Sequence, residues 1–156
     1  MDLTDEFGFI LSKKLHNLEI SSEKILTDYL DQIEKINPML NAIVSIEKRG
    51  KLIAISRSID QQRRAGMLLH PFAGLPIAIK DLEDTKGILS TQGSEIYSNY
   101  IPRKDSPMVT NIKKAGLIII GKTNTPEFGI GGQTFNSIFG TTVNPLDNNK
   151  TSGGSS

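Results

Sequence analysis

Two apolar segments joined by a helical pattern constrain the fold of this chain most strongly. Leu75–Ile79 and Leu117–Ile120 are apolar at successive positions, so both faces of each predicted strand are expected to be buried. Between them, Ser106 and Pro107 form an N-cap and first-turn pair for a helix that is expected to end at Gly116. Strand, helix and strand in this order predict a parallel sheet covered by helices, and therefore an α/β fold.

The first 66 residues are predicted to be mostly helical. With Ser21 or Ser22 as N-cap, apolar residues recur on one helical face until Asn37-Pro38, which is expected to end the helix. A short β-rich piece, Ala42–Ile46, follows, and a second amphipathic helix is expected to end near Gly66. None of these residues indicates a chemical function.

Composition excludes several functional classes. The 156 residues include 18 Lys+Arg and 17 Asp+Glu, and a net charge of +1 argues against a dedicated nucleic-acid binder, which would carry a basic face. The chain has no cysteine and 2 histidines, which excludes disulfides, thiol catalysis and cysteine zinc sites and leaves too few ligands for a histidine metal cluster. The longest apolar run is too short to cross a bilayer, and the N-terminus is acidic, unlike a secretory signal. We therefore expect a soluble, cytoplasmic protein without a metal site.

Residues 116–123 match the phosphate-loop pattern G-x-x-x-x-G-K-[ST], but the context of the match does not fit. A phosphate loop needs a strand before its first glycine and a helix directly after its threonine. Here a helix is predicted before Gly116, and the four variable residues, Leu117–Ile120, favour a buried strand. The pattern therefore does not predict a nucleotide site.

Lys80 ends the first apolar strand, which makes its amine a candidate base. Burial lowers the pKa of a lysine because it disfavours the charged form. From spacing alone, a structural explanation is favoured instead: an ion pair with Asp81, Glu83 or Asp84, or a side chain that reaches back to solvent.

The segment from Gly129 to the end is rich in glycine, threonine, asparagine and serine. It is either surface loop or the shell of an active site, because loops that follow parallel strands bind ligands in α/β proteins. Two adjacent glycines, Gly153 and Gly154, allow a ligand to approach main-chain N–H groups. By itself, however, a Gly-Gly-Ser-Ser tail is typical of a flexible linker or an expression scar.

Several segments in one order resemble the amidase signature family. They are Pro71–Asp81, Gly121–Gly129, Phe139–Pro145 and Gly153–Ser156. The resemblance is strong from Pro71 onward and weaker over the N-terminal helices, and several motifs in order are more specific than one short pattern. It implies one amidase domain, of which residues 1–66 are mostly helical and residues 71–156 begin the α/β catalytic core. That core would be a largely parallel mixed sheet with helices on both faces.

The resemblance also implies catalytic residues. Lys80 matches the family's catalytic lysine, and Ser155 matches the serine that a non-proline cis peptide precedes. In this family a neutral lysine takes a proton, through that serine, from a second serine that attacks the amide carbonyl. Backbone N–H groups beside the second serine form the oxyanion hole.

Residues 129–133 correspond to the family segment that lines the acyl pocket. Gly129, Gly131 and Gly132 are therefore candidate substrate-binding residues, with Ser155 as a fourth, and Gly129 is the first choice for a backbone contact to substrate. Asn124 and Glu127 are expected to hold this loop.

The chemistry requires no cofactor, whether metal, nucleotide or flavin. The expected partner is a small-molecule amide, with no nucleic acid or membrane, and the sequence indicates neither which amide is cleaved nor the oligomeric state.

The sequence ends before the expected nucleophile. In the family, the Gly-Gly-Ser-Ser run continues into Gly-Gly, and the nucleophilic serine lies some way beyond. We therefore expect a truncated product or an incomplete sequence that is inactive alone and marginally folded, with an exposed sheet flank that promotes aggregation. The parent protein is expected to be an amidase, a hydrolase that acts on linear amides other than peptide bonds.

Two alternative functions remain open. The glutamine-hydrolysing component of a tRNA-dependent amidotransferase shares the lysine and both serines, although residues 125–129 and 132–134 look more like those of general amidases. A non-catalytic interaction module derived from an amidase would instead be monodisperse, would melt cooperatively and would have a partner. A thermal melt with size-exclusion chromatography separates such a module from a truncated enzyme.

Overall fold

The computed structural model describes residues 3–154 of the chain. Within them, α-helices span Gly8–His16 (α1), Ser22–Leu40 (α2), Arg49–Arg64 (α3) and Pro107–Lys114 (α4). The longer strands span Ile43–Ile46 (β1), Pro76–Lys80 (β2) and Ile118–Thr123 (β3). Short strands follow at Phe135–Asn136 (β4), Gly140–Thr141 (β5), Val143–Asn144 (β6) and Asp147–Thr151 (β7).

A mixed sheet is formed by β1, β2 and β3, with β3 in the middle. The antiparallel pair is β1 with β3, and it contains a β-bulge. Next to β2 the main-chain hydrogen bonds follow a parallel order. The N–H of Ile118 donates to the carbonyl of Leu75 at 2.9 Å. Five residues further along β3, the carbonyl of Thr123 accepts the N–H of Asp81 at 3.1 Å. The predicted α/β class is therefore confirmed, and its sheet is mixed.

The described residues form two compact units, and neither is one continuous segment. The first unit contains the described residues up to Glu34, together with Glu47–Ile77 and Asn111–Ile120. The second unit contains Lys35–Ile46, Ala78–Thr110 and the described residues from Gly121 onward.

The first unit is built on amphipathic helices. Leu11, Leu15, Ile25 and Leu75 form a buried apolar cluster. At the start of α2, the side chain of Ser21 accepts the N–H of Lys24 at 3.0 Å, as an N-cap does. The carboxylate of Asp60 accepts the N–H groups of Ser22 and Glu23 at 2.7 and 3.0 Å. These contacts satisfy donors that the first turn of a helix leaves free.

Most predicted elements are confirmed within a few residues, but the predicted end of α2 is wrong. The helix passes through Asn37-Pro38 and ends at Leu40. The side-chain oxygen of Asn37 accepts the N–H groups of Ala42 and Ile43 at 2.9 and 2.8 Å. The last turn is therefore tied to the start of β1, and Pro38 is tolerated near the helix end because it removes only one N–H donor.

The context predicted for the 116–123 segment is also confirmed. The helix α4 precedes Gly116, and Ile118–Thr123 is a strand rather than a loop. A Cβ atom at Gly121 would collide with the carbonyl oxygen of Ser45 in β1. The glycine of the apparent phosphate loop is thus explained by the close approach of two strands.

The described part of the glycine-rich segment has regular secondary structure and is not simply a surface loop. It contains two short antiparallel pairs, β4 with β5 and β6 with β7. None of the helices within residues 3–154 has both the length and the apolar content that a membrane span requires.

Candidate active site

Lys80 is the last residue of β2 and is half-buried. Its carbonyl accepts the N–H of Glu83 at 3.1 Å, which turns the chain at the end of the strand. The carboxyl end of a strand in an α/β sheet is where such proteins bind ligands. The fold therefore places the predicted catalytic lysine at a suitable edge of the sheet.

Directly after Lys80, the carboxylate of Asp81 is completely buried. It accepts the main-chain N–H of Thr91 at 3.0 Å and the hydroxyl of the same residue at 2.6 Å. Its other neighbour is the ammonium of Lys122, at 3.7 Å. Burial raises the pKa of Asp81, whereas the hydrogen bonds from Thr91 and the charge of Lys122 act in the opposite direction.

Lys122 is the opposite charge of this pair, and it is also completely buried in β3. Its ammonium donates to the carbonyl of Glu83 and to the hydroxyls of Thr85 and Ser90 at 3.3 and 3.2 Å. Burial lowers the pKa of Lys122, and the nearby charge of Asp81 opposes that shift. The three acceptors and Asp81 together surround a cation that is closed off from solvent.

The sequence patterns do not reveal this buried pair. They indicate Asp81 only as an ion-pair partner of Lys80, and Lys122 only as part of the rejected phosphate-loop pattern. The available signal is a lysine that follows an apolar strand core without a break, in Ile118–Thr123. A charge inside a buried strand requires an opposite charge or several acceptors nearby.

Two buried asparagines organise the loop after β3. The side-chain amide of Asn124 donates to the carbonyl of Gly140 at 3.2 Å and to the hydroxyl of Thr142 at 3.0 Å. Its oxygen accepts the amide of Asn136 at 2.7 Å and the N–H of Thr125 at 3.0 Å. These contacts agree with the expected structural role of Asn124.

Glu127 is tied to a different part of the second unit. Its carboxylate accepts the hydroxyl of Ser94 at 2.6 Å. This contact also agrees with the expected role of Glu127 in holding the loop.

Gly129 has a conformation that a side chain would not tolerate. Its φ is +73°, and a Cβ atom there would lie 2.7 Å from a methyl carbon of Leu82. Its N–H donates to the carbonyl of Pro126 at 2.9 Å, so that donor is already used within the loop. A backbone contact from Gly129 to a substrate would therefore use its carbonyl group.

Gly131 and Gly132 line an open groove of about 400 Å³ in the second unit. The lining is completed by Pro126, Glu127, Ile130, Gln133, Phe135, Asn136 and Ser137. Neither Lys80 nor Gly129 lines this groove. Ser155 lies outside the described residues, so its predicted proximity to Lys80 stays a prediction.

The described residues contain no group of three or more His, Asp or Glu side chains that could hold a metal ion.

Comparison with known proteins gives a family match over most of the chain. The family model described as Amidase matches residues 24–156. A glutamyl-tRNA(Gln) amidotransferase subunit from Acidothermus cellulolyticus is 41% identical over 155 residues. That alignment covers 99% of this chain and 30% of the relative, so the chain spans about a third of the length of the curated relatives it matches.

Solved structures show the same fold. A chain from a vestigial protein complex, described as revealing the evolutionary origins of an s-triazine catabolic enzyme, matches with a TM-score of 0.86 and 31% identity. The match covers 93% of this chain and 32% of that one. A bacterial aryl acylamidase of the amidase signature family matches with a TM-score of 0.84 and 26% identity, over 92% of this chain and 30% of the acylamidase.

Proposed function

The chain belongs to the amidase family, and from this premise we propose that it is the N-terminal part of one amidase domain in a protein that hydrolyses an amide bond. Members of the family are amide hydrolases. The observation that supports the proposal is the position of Lys80, which matches the family's catalytic lysine by resemblance and is the last residue of β2.

In the proposed reaction, Lys80 is a neutral base that acts through Ser155. A second serine, beyond residue 156, gives up its proton along this path and attacks the amide carbonyl to form an acyl-enzyme. The leaving amine takes a proton as the carbon–nitrogen bond breaks, and water then hydrolyses the acyl-enzyme. Gly131 and Gly132 line the open groove, and in the proposed reaction they contact the substrate there. The substrate is a small-molecule amide, and residues 1–156 alone are inactive.

The experiment is hydrolysis of simple aliphatic and aryl amides by the full-length protein. Lys80→Met and Ser155→Ala are each expected to lower kcat by at least about 10³-fold, since members of such a triad act as a unit. Lys86→Met is the matched control, because Lys86 is an exposed lysine six positions further on. Full activity of Lys80→Met, or enzyme-like activity of residues 1–156 alone, would contradict the proposal.

A second candidate is the glutamine-hydrolysing component of an amidotransferase. The specific observation in its favour is the 41% identity to a glutamyl-tRNA(Gln) amidotransferase subunit over 99% of this chain. Such a protein would act in a complex with protein partners. If the full-length protein hydrolyses glutamine only when its partner subunits are added, and does not cleave simple amides, the second candidate replaces the first.

A further inference from the structure

The buried pair Asp81–Lys122 joins two strands at the point where β2 ends. Lys122 is the penultimate residue of β3, and Asp81 is the first residue after β2. The N–H of Asp81 donates to the carbonyl of Thr123 at 3.1 Å, so main-chain pairing continues one residue past Lys80. The ion pair and this hydrogen bond together fix the backbone that directly follows Lys80.

The same pair also holds the chain that leaves the strand. Lys122 donates to Glu83, Thr85 and Ser90, while Asp81 accepts two hydrogen bonds from Thr91. Residues 81–91 contain no helix or strand. Their conformation therefore depends on these side-chain contacts rather than on a regular hydrogen-bond ladder.

Burial alternates across the end of β2. Ile79 is 2% exposed, Lys80 is half-buried, and Asp81 is 0% exposed. Successive side chains of an extended chain point to opposite faces. Anchoring Asp81 on the buried face therefore directs the side chain of Lys80 to the other face.

Stability alone does not explain why this site is ionic. Replacing a buried ion pair with well-packed apolar residues of similar volume is often neutral or stabilising. An ionic pair suits a site that needs one backbone geometry, because charged hydrogen-bonding partners fix distance and direction where apolar contacts do not.

We propose that Asp81 and Lys122 are positioning residues for Lys80: their buried pair fixes the backbone that carries Lys80, and so the direction in which its side chain leaves the strand, without touching the substrate. This inference rests on the proposed function, in which Lys80 is the base. A displacement of a catalytic group by about 1 Å can lower the rate by about 10²-fold, so loss of the pair affects turnover more than substrate binding.

The test uses the full-length protein with Asp81→Asn, Lys122→Met and the control Leu26→Ala. Leu26 is fully buried in the first unit, so its truncation destabilises the protein without altering the pair. We expect kcat to fall at least about tenfold in both pair variants while KM changes less than about threefold. Leu26→Ala is expected to keep kcat at a temperature where it is folded. An unchanged kcat in folded Asp81→Asn, or an equal fall in Leu26→Ala, would overturn the proposal.

A second measurement does not depend on activity and remains informative if Lys122→Met fails to fold. The amines are acylated with a small reactive ester, and the rate at Lys80 is compared in the same sample with the rate at Lys48, an exposed lysine of the first unit that lies outside the segment held by the pair. The Lys80:Lys48 ratio is expected to change at least about threefold in Asp81→Asn, because the backbone that carries Lys80 is no longer fixed. An unchanged ratio overturns the inference. If the wild-type protein hydrolyses no amide, the proposed function fails separately, and the ratio still decides the role of the pair.

Discussion

In the first unit, the buried residues among those described are mainly leucine and isoleucine: 11 are apolar and 4 are polar or charged. In the described part of the second unit the proportions are reversed: leaving glycine and proline aside, 3 buried residues are apolar and 11 are polar or charged. Apolar contacts are not directional, so a core of the first kind tolerates exchange of one side chain for another of similar volume. A polar interior stabilises the fold only when each group keeps its partner. The candidate catalytic lysine lies in the second unit, where geometry is fixed by such directional contacts.

The largest expected loss of stability follows from breaking the charged pair of the second unit. Lys122→Met is expected to lower the free energy of unfolding by about 3–5 kcal/mol, because it leaves the carboxylate of Asp81 buried without its opposite charge. The measurement is urea denaturation of the purified full-length protein and its variants. The double variant Asp81→Asn/Lys122→Met removes both charges and keeps an oxygen acceptor for Thr91, so it is expected to recover much of this loss. If the double variant is as unstable as the single one, the charge is not the cause.

The next largest loss of stability is expected from a cavity in the apolar core of the first unit. Leu26→Ala is expected to lower the free energy of unfolding by about 2–5 kcal/mol, because it opens a cavity around a fully buried side chain. Leu26→Met nearly conserves volume and is expected to lower it by less than about 1.5 kcal/mol. Urea denaturation of both variants measures the difference. Equal losses would show that the first unit is as demanding of side-chain shape as the second is of polar partners.

The difference between apolar and polar packing also explains which features could be predicted from the sequence. Apolar periodicity predicts α2 and α3, and apolar runs with cap residues predict β2, α4 and β3. These patterns arise because burial follows the repeat of a helix or strand. The α/β class and the position of Lys80 at a strand end follow from them.

The polar interior could not be predicted in the same way. Asn124 bonds to Asn136 and Thr142, and Asp81 pairs with Lys122, but no periodic spacing relates these partners. A hydrogen-bond network is specified by three-dimensional proximity and leaves only an unusual polar residue in the sequence. Similarly, the sequence does not reveal that the N–H of Gly129 is used by Pro126, since that contact depends on the local turn.

Two buried threonines of the second unit allow a hydroxyl that has hydrogen-bond partners to be compared with one that has none. The hydroxyl of Thr142 donates to the carbonyl of Asn41 at 2.7 Å and accepts the amide of Asn124 at 3.0 Å. Thr142→Val is therefore expected to lower the free energy of unfolding by about 1–3 kcal/mol. Within the described residues, the hydroxyl of Thr134 has no hydrogen-bond partner. Thr134→Val is expected to be neutral or to stabilise by up to about 1 kcal/mol, because it removes an unsatisfied buried group. Thermal denaturation of both variants checks the contrast, and the same loss in both would contradict it.

The smallest expected effect concerns a charged pair at the surface of the first unit. Arg57 donates to the carboxylate of Glu23 at 2.7 Å, and that hydrogen bond lowers the pKa of Glu23. Because the pKa is lower in the folded protein, the pair stabilises the fold above the ordinary glutamate pKa, and that contribution is lost as the pH falls through the folded value. Arg57→Gln should therefore lower Tm slightly at pH 7, and the deficit should disappear once Glu23 is protonated. Added salt should also reduce the deficit, since both side chains are exposed to solvent.

Thermal melts across the acidic range at low and high salt measure this deficit, with Arg57→Lys as the charge-conserving control. A deficit that persists after Glu23 is protonated would mean that Arg57 stabilises the first unit by packing, and that even its surface charges act through contacts of the kind found in its core.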